Sequence, residues 1–275
     1  MKPNISVIIP TYNRVSSLKR AIYSVLTQTY KDFEIIIIDN YSTDGTIKYL
    51  KKLNNKRINF YQIRNNRIIA FLDDDDWWCK NKLLETKLKL NEGFDLVYHN
   101  VFLHSDKIKK SNCRLLKKPV FDDLFCNGNP IVTSSVIVKK KLLFDVGKMS
   151  EEKNLIASED YDTWLKISKI TNKFFLINKC LGYYRVSKKS FWNNSKNIKK
   201  IFKNFDQIIQ RHKIDYCQNI KDIIWVDYLK AKYLSENGNF KKSNYYLKKL
   251  SKKNIDINTK IKLIYFFFKN LLHLK

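Results

Sequence analysis

The sequence predicts an α/β protein, a parallel sheet covered on both faces and followed by a helical extension. Two observations carry this. Continuously apolar runs of strand length alternate with amphipathic helical patterns early in the chain, which is the order that gives a parallel sheet covered on both faces. After Ser190 the strand patterns cease and only helical spacing remains.

The first strand is Ile5 to Ile9, stopped by Pro10. Ser16 and Ser17 can cap a helix carrying Leu18, Ala21, Ile22, Val25 and Leu26 on one face. Ile35 to Ile38 form a second buried strand, Ser42 to Gly45 a turn, and Ile47, Leu50 and Leu53 a second helix face. "FDLVYHNVFL" and "TSSVIVKK" read as strands, "ASEDYDTWLKISKI" as a helix with an acidic pair near its start, and "FFLINKCLGYYRV" as paired strands. Tyr228 to Leu234 and Tyr245 to Leu250 mark a helical hairpin around "ENGNF". The expected division is a domain over 1–190 and a basic helical extension over 191–275.

Composition narrows the classes. Apolar residues are 44% and aromatics 14%, so the chain folds around a core and is not disordered. The formal charge is +27, and it is uneven: residues 196–275 hold 19 Lys+Arg against 6 Asp+Glu, residues 1–195 hold 34 against 20. A basic end suits an anionic surface such as phospholipid. No nucleic-acid-binding module is recognisable, so nucleic acid is not an expected partner. The longest stretch free of charged residues, Leu124 to Val138, is too short and too polar to span a bilayer. Without a visible secretory signal, the five scattered cysteines read as reduced buried thiols of a cytoplasmic protein.

The most demanding stretch is "RIIAFLDDDDWW", in which Asp73, Asp74, Asp75 and Asp76 follow an apolar run directly. Adjacent carboxylates repel one another unless a cation sits between them. In parallel sheets ligands bind at the carboxyl ends of the strands, where Asp39, the Asp73 cluster and "PTYNR" all fall.

The ordered set "SVIIPTYNR", "IIIIDNYSTDGT", "IAFLDDDDWW", "SEDYDTWLKI" and "YYRV" resembles the family 2 inverting glycosyltransferases of GT-A fold, of the bacterial surface-glycan type. The resemblance covers roughly residues 5–187. It implies metal-dependent transfer from a nucleotide-diphosphate sugar, with UDP as the expected nucleotide, to a glycan or lipid-linked glycan acceptor. A divalent metal would neutralise the departing diphosphate, and hard carboxylate oxygens suit Mn²⁺ or Mg²⁺. By resemblance Asp75 ligates that metal, Asp73 lies nearer the ribose, Asp74 takes the variable place, and Asp76 supports. Asp39 accepts from the uracil ring, with Pro10, Thr11 and Tyr12 lining the same pocket; taken alone, "DNYSTDGT" is equally an ordinary turn and helix cap. Arg14 reads as a nucleotide contact or as a surface residue at a helix start. An inverting reaction needs a base on the acceptor side, and the resemblance assigns Asp160, with Glu159 beside it.

Two departures from the family stand out. A histidine that often follows the Tyr-Arg pair is missing, since Arg185 is followed by Val186 and Ser187; Arg185 remains a candidate for the diphosphate. Only Arg64, Asn65 and Asn66 separate "INFYQI" from "RIIAFL", where relatives carry a crossover helix. Either Ile58 to Ile63 serves as the crossing, or the two runs form a hairpin. This shortening leaves a second reading open, a degenerate member that binds nucleotide or glycan without turnover. Lys260 to Lys275, apolar residues among lysines, suggests peripheral attachment to the inner face of the cytoplasmic membrane; the alternative is that its apolar residues cover the hairpin.

Overall fold

The computed structural model describes residues 3–39, 42–53, 55–60, 68–187, 195–213, 223–253 and 264–271, with 266 and 269 excepted. The elements are, in order, β1 (Ile5–Thr11), α1 (Val15–Leu26), β2 (Phe33–Asp39), α2 (Thr46–Lys52), β3 (Ile58–Phe60), β4 (Ile68–Phe71), β5 (Trp77–Trp78), α3 (Lys82–Asn91), β6 (Leu96–His104) and β7 (Ile108–Lys110). There follow α4 (Val120–Asn127), β8 (Ile137–Lys139), α5 (Lys140–Asp145), α6 (Glu159–Ile170), β9 (Phe174–Arg185), α7 (Ile198–His212), α8 (Trp225–Glu236) and α9 (Phe240–Ser251). The chain divides into two compact units. The first holds residues 1–117, 130–149 and 166–187; the second holds 118–129, 150–165 and 188–275.

All the described strands belong to the first unit, in the sheet order β3-β2-β1-β4-β8-β6-β9-β5, with β7 on β6. Strands β3, β2, β1 and β4 run parallel, and β8 joins antiparallel. Ile5, Val7 and Ile9 of β1 and Ile35 to Ile37 of β2 are buried; Ile38, expected to be buried with them, is 43% exposed near the end of the strand. Leu18, Ala21, Ile22 and Val25 are the buried face of α1. Burying each of the larger three contributes roughly 1.5–3 kcal/mol.

Several expectations need correction. Helix α1 begins at Val15 with no side-chain cap from Ser16 or Ser17; Asp44 of the next loop instead accepts from the Val15 amide, at 3.0 Å. The run "FFLINKCLGYYR" is one twelve-residue strand, not a pair. Strand β9 stays parallel to β6 through register shifts around Asn100, where the Asn100 side-chain amide donates to Asn178 at 2.8 Å. A bulge absorbs the irregularity that a turn was expected to explain. Cys79, Cys113, Cys126 and Cys180 are free thiols, but half-buried ones.

Neither reading of the shortened segment holds. Strand β3 pairs with β2 in parallel, and β4 pairs with β1, so there is neither a crossing at Ile58–Phe60 nor a hairpin between the two. Because β3 ends at Phe60, seven residues (61–67, outside the described residues) join the strands. Three interstrand steps of ~4.8 Å and a return of about four residues along the sheet amount to roughly 20 Å. An extended chain of that length reaches about 25 Å. The parallel order therefore needs no helix there.

The second unit is helical. Its Trp225 indole donates to the Phe125 carbonyl at 2.8 Å and meets Tyr161 and Phe205 edge-on, at 5.5 and 5.2 Å between centroids. Gly128, at φ +80°, lies so close that an added Cβ would stand 3.1 Å from the Trp225 ring. Helices α8 and α9 form the expected hairpin around Ala231, Leu247 and Leu250, with Phe267 of the tail packed on the same cluster. Asn270 is buried and donates to Ser243 Oγ at 2.9 Å and Asn244 Oδ1 at 2.8 Å. One side of the tail thus covers the hairpin, while Ile264, Tyr265, Phe268 and Leu271 stay exposed. Among the described residues no helix is long and apolar enough to cross a membrane.

Candidate active site

In the first unit the carboxyl ends of β1, β2 and β4 lie side by side, and Thr11 is in register with Asp39. Loop conformation is fixed by polar side chains. Asn13, at φ +51°, accepts from the Thr43 amide at 2.6 Å, while its own amide donates to Ser42 Oγ at 2.8 Å. Asn tolerates this left-handed conformation better than most residues. The β1 and β2 loops are thereby pinned together over the strand ends.

The four aspartates are treated differently. Asp74 is buried and accepts from Thr11 Oγ1 at 2.9 Å and Arg14 Nη1 at 2.8 Å. Burial raises its pKa, and the Arg14 charge opposes this. The same Arg14 nitrogen reaches Asp75 Oδ2 at 3.0 Å, so one guanidinium spans two carboxylates. Asp76 is fully buried and accepts from the Arg185 amide at 2.9 Å; its Oδ2 has no hydrogen-bond partner among the described residues. Desolvation first, and the Asp73 charge second, raise its pKa well above its ordinary value. The Asp73 amide donates to Ser134 Oγ at 3.0 Å. Repulsion in the run is offset by Arg14, which reaches two of the four carboxylates.

Asp39 is buried at the end of β2. Its Oδ2 accepts from the Ser42 amide at 3.0 Å, while Oδ1 has no partner among the described residues. A buried oxygen without a donor is costly, which makes Asp39 Oδ1 a candidate to accept from a ligand. Pro10 and Tyr12 flank Thr11 and are exposed, Tyr12 at 55%.

Arg20 was not singled out in the sequence, where "LKRAIYS" is only a helix face. It donates to the Asp75 carbonyl at 3.1 Å and lies 4.2 Å over the Trp77 ring. Arg185 donates to Ser17 Oγ at 3.2 Å, one helical turn from Arg20. Desolvation and the nearby Arg185 charge lower the Arg20 pKa. Two guanidiniums gathered beside an acidic strand end suit a polyanion.

In the second unit Glu159 and Asp160 open α6, both half-buried. Glu159 Oε2 accepts from the Ser158 amide at 2.9 Å, and Asp160 Oδ1 from the Tyr161 amide at 2.6 Å. Negative charge is favourable in this first turn. Asp162 is fully buried, with His212 Nε2 at 2.9 Å.

Among the described residues no group of three or more His, Cys, Asp or Glu side chains could hold a metal ion. Asp75 nevertheless offers a hard oxygen on a side chain 27% exposed. It fits a divalent cation that takes its remaining ligands from a diphosphate and water.

A parallel nucleotide-binding sheet, followed by antiparallel strands and an acidic helix start, defines the class: a glycosyltransferase of the GT-A fold. The family model for Glycosyl transferase family 2 matches residues 6–117. The UDP-Glc:alpha-D-GlcNAc-diphosphoundecaprenol beta-1,3-glucosyltransferase WfaP of Escherichia coli is 30% identical over 66% of this chain and 77% of that protein. The chain belongs to glycosyltransferase family 2. The GalNAc(5)-diNAcBac-PP-undecaprenol beta-1,3-glucosyltransferase of Campylobacter jejuni is 29% identical over 67% of this chain and 65% of its own length. Among solved structures, residues 1–349 of S. aureus TarS in complex with UDP-GlcNAc share the fold, with a TM-score of 0.61, 16% identity, and coverage of 98% of this chain and 81% of that one.

Proposed function

We propose that this glycosyltransferase moves a sugar from a UDP-sugar, with inversion and with Mn²⁺ or Mg²⁺, to a lipid-linked glycan acceptor in bacterial glycan assembly. The observation that carries the reading is the buried Asp39 oxygen without a partner among the described residues, in register with Thr11 beside the Arg14–aspartate cluster. The uracil ring supplies the N–H donor that this oxygen lacks. Pro10, Thr11 and Tyr12 line the base and ribose, and Asp73 takes the ribose side. Asp75 holds the metal, with Asp74 and Asp76 as supports. When bound, the metal supplies positive charge to the diphosphate leaving group. Arg20 and Arg185 add to that charge, and Arg14 exchanges its contact with Asp75 as donor arrives. Asp160 of the second unit removes the proton from the acceptor hydroxyl, and Glu159 holds the Ser158 amide at the start of its helix.

The lipid-linked acceptor follows from the undecaprenol substrates named for the Escherichia coli and Campylobacter jejuni relatives. Peripheral attachment to the inner face of the cytoplasmic membrane is the matching location. The exposed Ile264, Tyr265, Phe268 and Leu271 in a strongly basic region support it. Thermal-shift titration with UDP-sugars, with Mn²⁺ and then with EDTA, tests the donor. Stabilisation by one UDP-sugar that EDTA abolishes is expected; a shift with no UDP-sugar in either condition overturns the reading.

A further inference from the structure

Helix α7 touches the lead-in to α6 at three places within the second unit. Asn204, buried in mid-helix, donates to the Ile156 carbonyl at 2.6 Å. Arg211 ion-pairs with Glu152 and stands 3.6 Å from Asp162 Oδ2. His212, 1% exposed, places Nε2 2.9 Å from Asp162 Oδ1. Between these contacts Ala157 adopts φ +66°, a left-handed conformation that costs a residue with a Cβ roughly 1–2 kcal/mol. Such backbone persists only where its surroundings over-determine it. Two residues further on, the helix opens with Glu159 and Asp160.

We infer that the Arg211–His212 end of α7 is a positioning couple that sets where Asp160 is presented, so that the helical extension completes the catalytic apparatus. The inference rests on the reading of Asp160 as the base. Asp162 lies in the same first turn as Asp160, so a carboxylate held by His212 and Arg211 fixes the phase of that turn. A misplacement of about 1 Å at a reacting group lowers turnover on the order of a hundredfold. Binding of the nucleotide, which the reading assigns to the strand ends of the first unit, needs none of these contacts.

The test compares His212→Leu, His212→Gln and Arg211→Gln with Asp160→Asn. Release of UDP is followed with whichever UDP-sugar most stabilises the native protein, with water as acceptor. Amide exchange over residues 156–162 is measured in parallel. His212→Leu is expected to lower kcat at least tenfold, leave donor KM and UDP affinity within twofold, and speed exchange at 158–162 while β1 and β2 stay protected. His212→Gln, which keeps a side-chain N–H, should recover most of both losses. Unchanged exchange at 158–162, or a kcat within twofold of the native value, overturns the inference. So does a loss of UDP binding in step with kcat, which marks a general folding defect. Should His212→Leu fail to fold, the more exposed Arg211→Gln decides by the same two measurements. An active Asp160→Asn removes the base reading itself. An inactive Asp160→Asn beside a fully active His212→Leu removes this inference alone.

Discussion

The two units each crowd carboxylates at one point of the chain and dispose of the charge in opposite ways. At the end of β4, Arg14 binds Asp74 and Asp75 from outside, burial raises the pKa of Asp76, and Asp75 keeps solvent access. At the start of α6, Asp162 is closed off by His212, and Glu159 and Asp160 use backbone amides. The buried histidines differ in the same way. Among the described residues His99 has no acidic partner, its Nδ1–H meeting the Asn100 carbonyl at 2.7 Å, whereas His212 pairs with Asp162. An arrangement left open to solvent can accept a cation and an anion together. One closed around its acid can only hold a geometry.

The largest effects should separate these two jobs. Asp160→Asn is expected to lower turnover about 10²–10⁴-fold, the range for a lost general base, with UDP affinity unchanged by calorimetry. Asp75→Ala should lower turnover at least about a hundredfold by weakening leaving-group stabilisation, and UDP affinity should become insensitive to Mn²⁺. If both variants lost UDP binding alike, the division of roles between the units would fail.

Asp39→Ala should weaken UDP binding by roughly 1–3 kcal/mol, about tenfold to a hundredfold, since the uracil N–H would lose its buried partner. A UDP titration that gives the native affinity would remove Asp39 from the donor pocket.

The histidine comparison predicts an effect on stability and none on donor binding. Burial first, and the Lys82 charge second, lower the His99 pKa to about 3. A depressed pKa makes its contribution fully present above the unfolded value near 6.5 and lost as pH falls toward about 3. Urea unfolding should therefore show a loss of up to about 1.4 kcal/mol per pH unit in that window from this group. His99→Asn, whose amide can replace Nδ1–H, should flatten the slope; an unchanged slope would assign the acid sensitivity elsewhere.

The mildest effect lies in the tail. Replacing Tyr265 and Phe268 by Ser should reduce flotation with anionic vesicles several-fold and leave the melting temperature nearly unchanged, because both are exposed. Full flotation by the variant would place the attachment elsewhere or nowhere.

By itself, the sequence determined the elements whose cause is local. Ile5–Ile9 and Ile35–Ile37 are apolar enough to read as strands of a covered parallel sheet, and the α1 face reads directly from its spacing. The identity of the rim followed as well, since strand ends in such a sheet are where Asp39 and the four aspartates must fall. Only the tertiary structure decided what depends on distant partners. That Asp44 caps α1, that Arg20 turns to the Asp75 carbonyl, and that one arginine serves two of four neighbouring carboxylates are contacts across 29 to 61 positions of chain. No periodicity records them. The same holds for β9, whose register shift opposite Asn100 is set by pairing with β6, and for Asp162, indistinguishable in the sequence from any helix-start acid until α7 closes on it. Spacing along the chain fixes which face of an element is apolar. Which polar group meets which is fixed by burial, where every unpaired donor or acceptor costs energy and the packed fold alone supplies the partner.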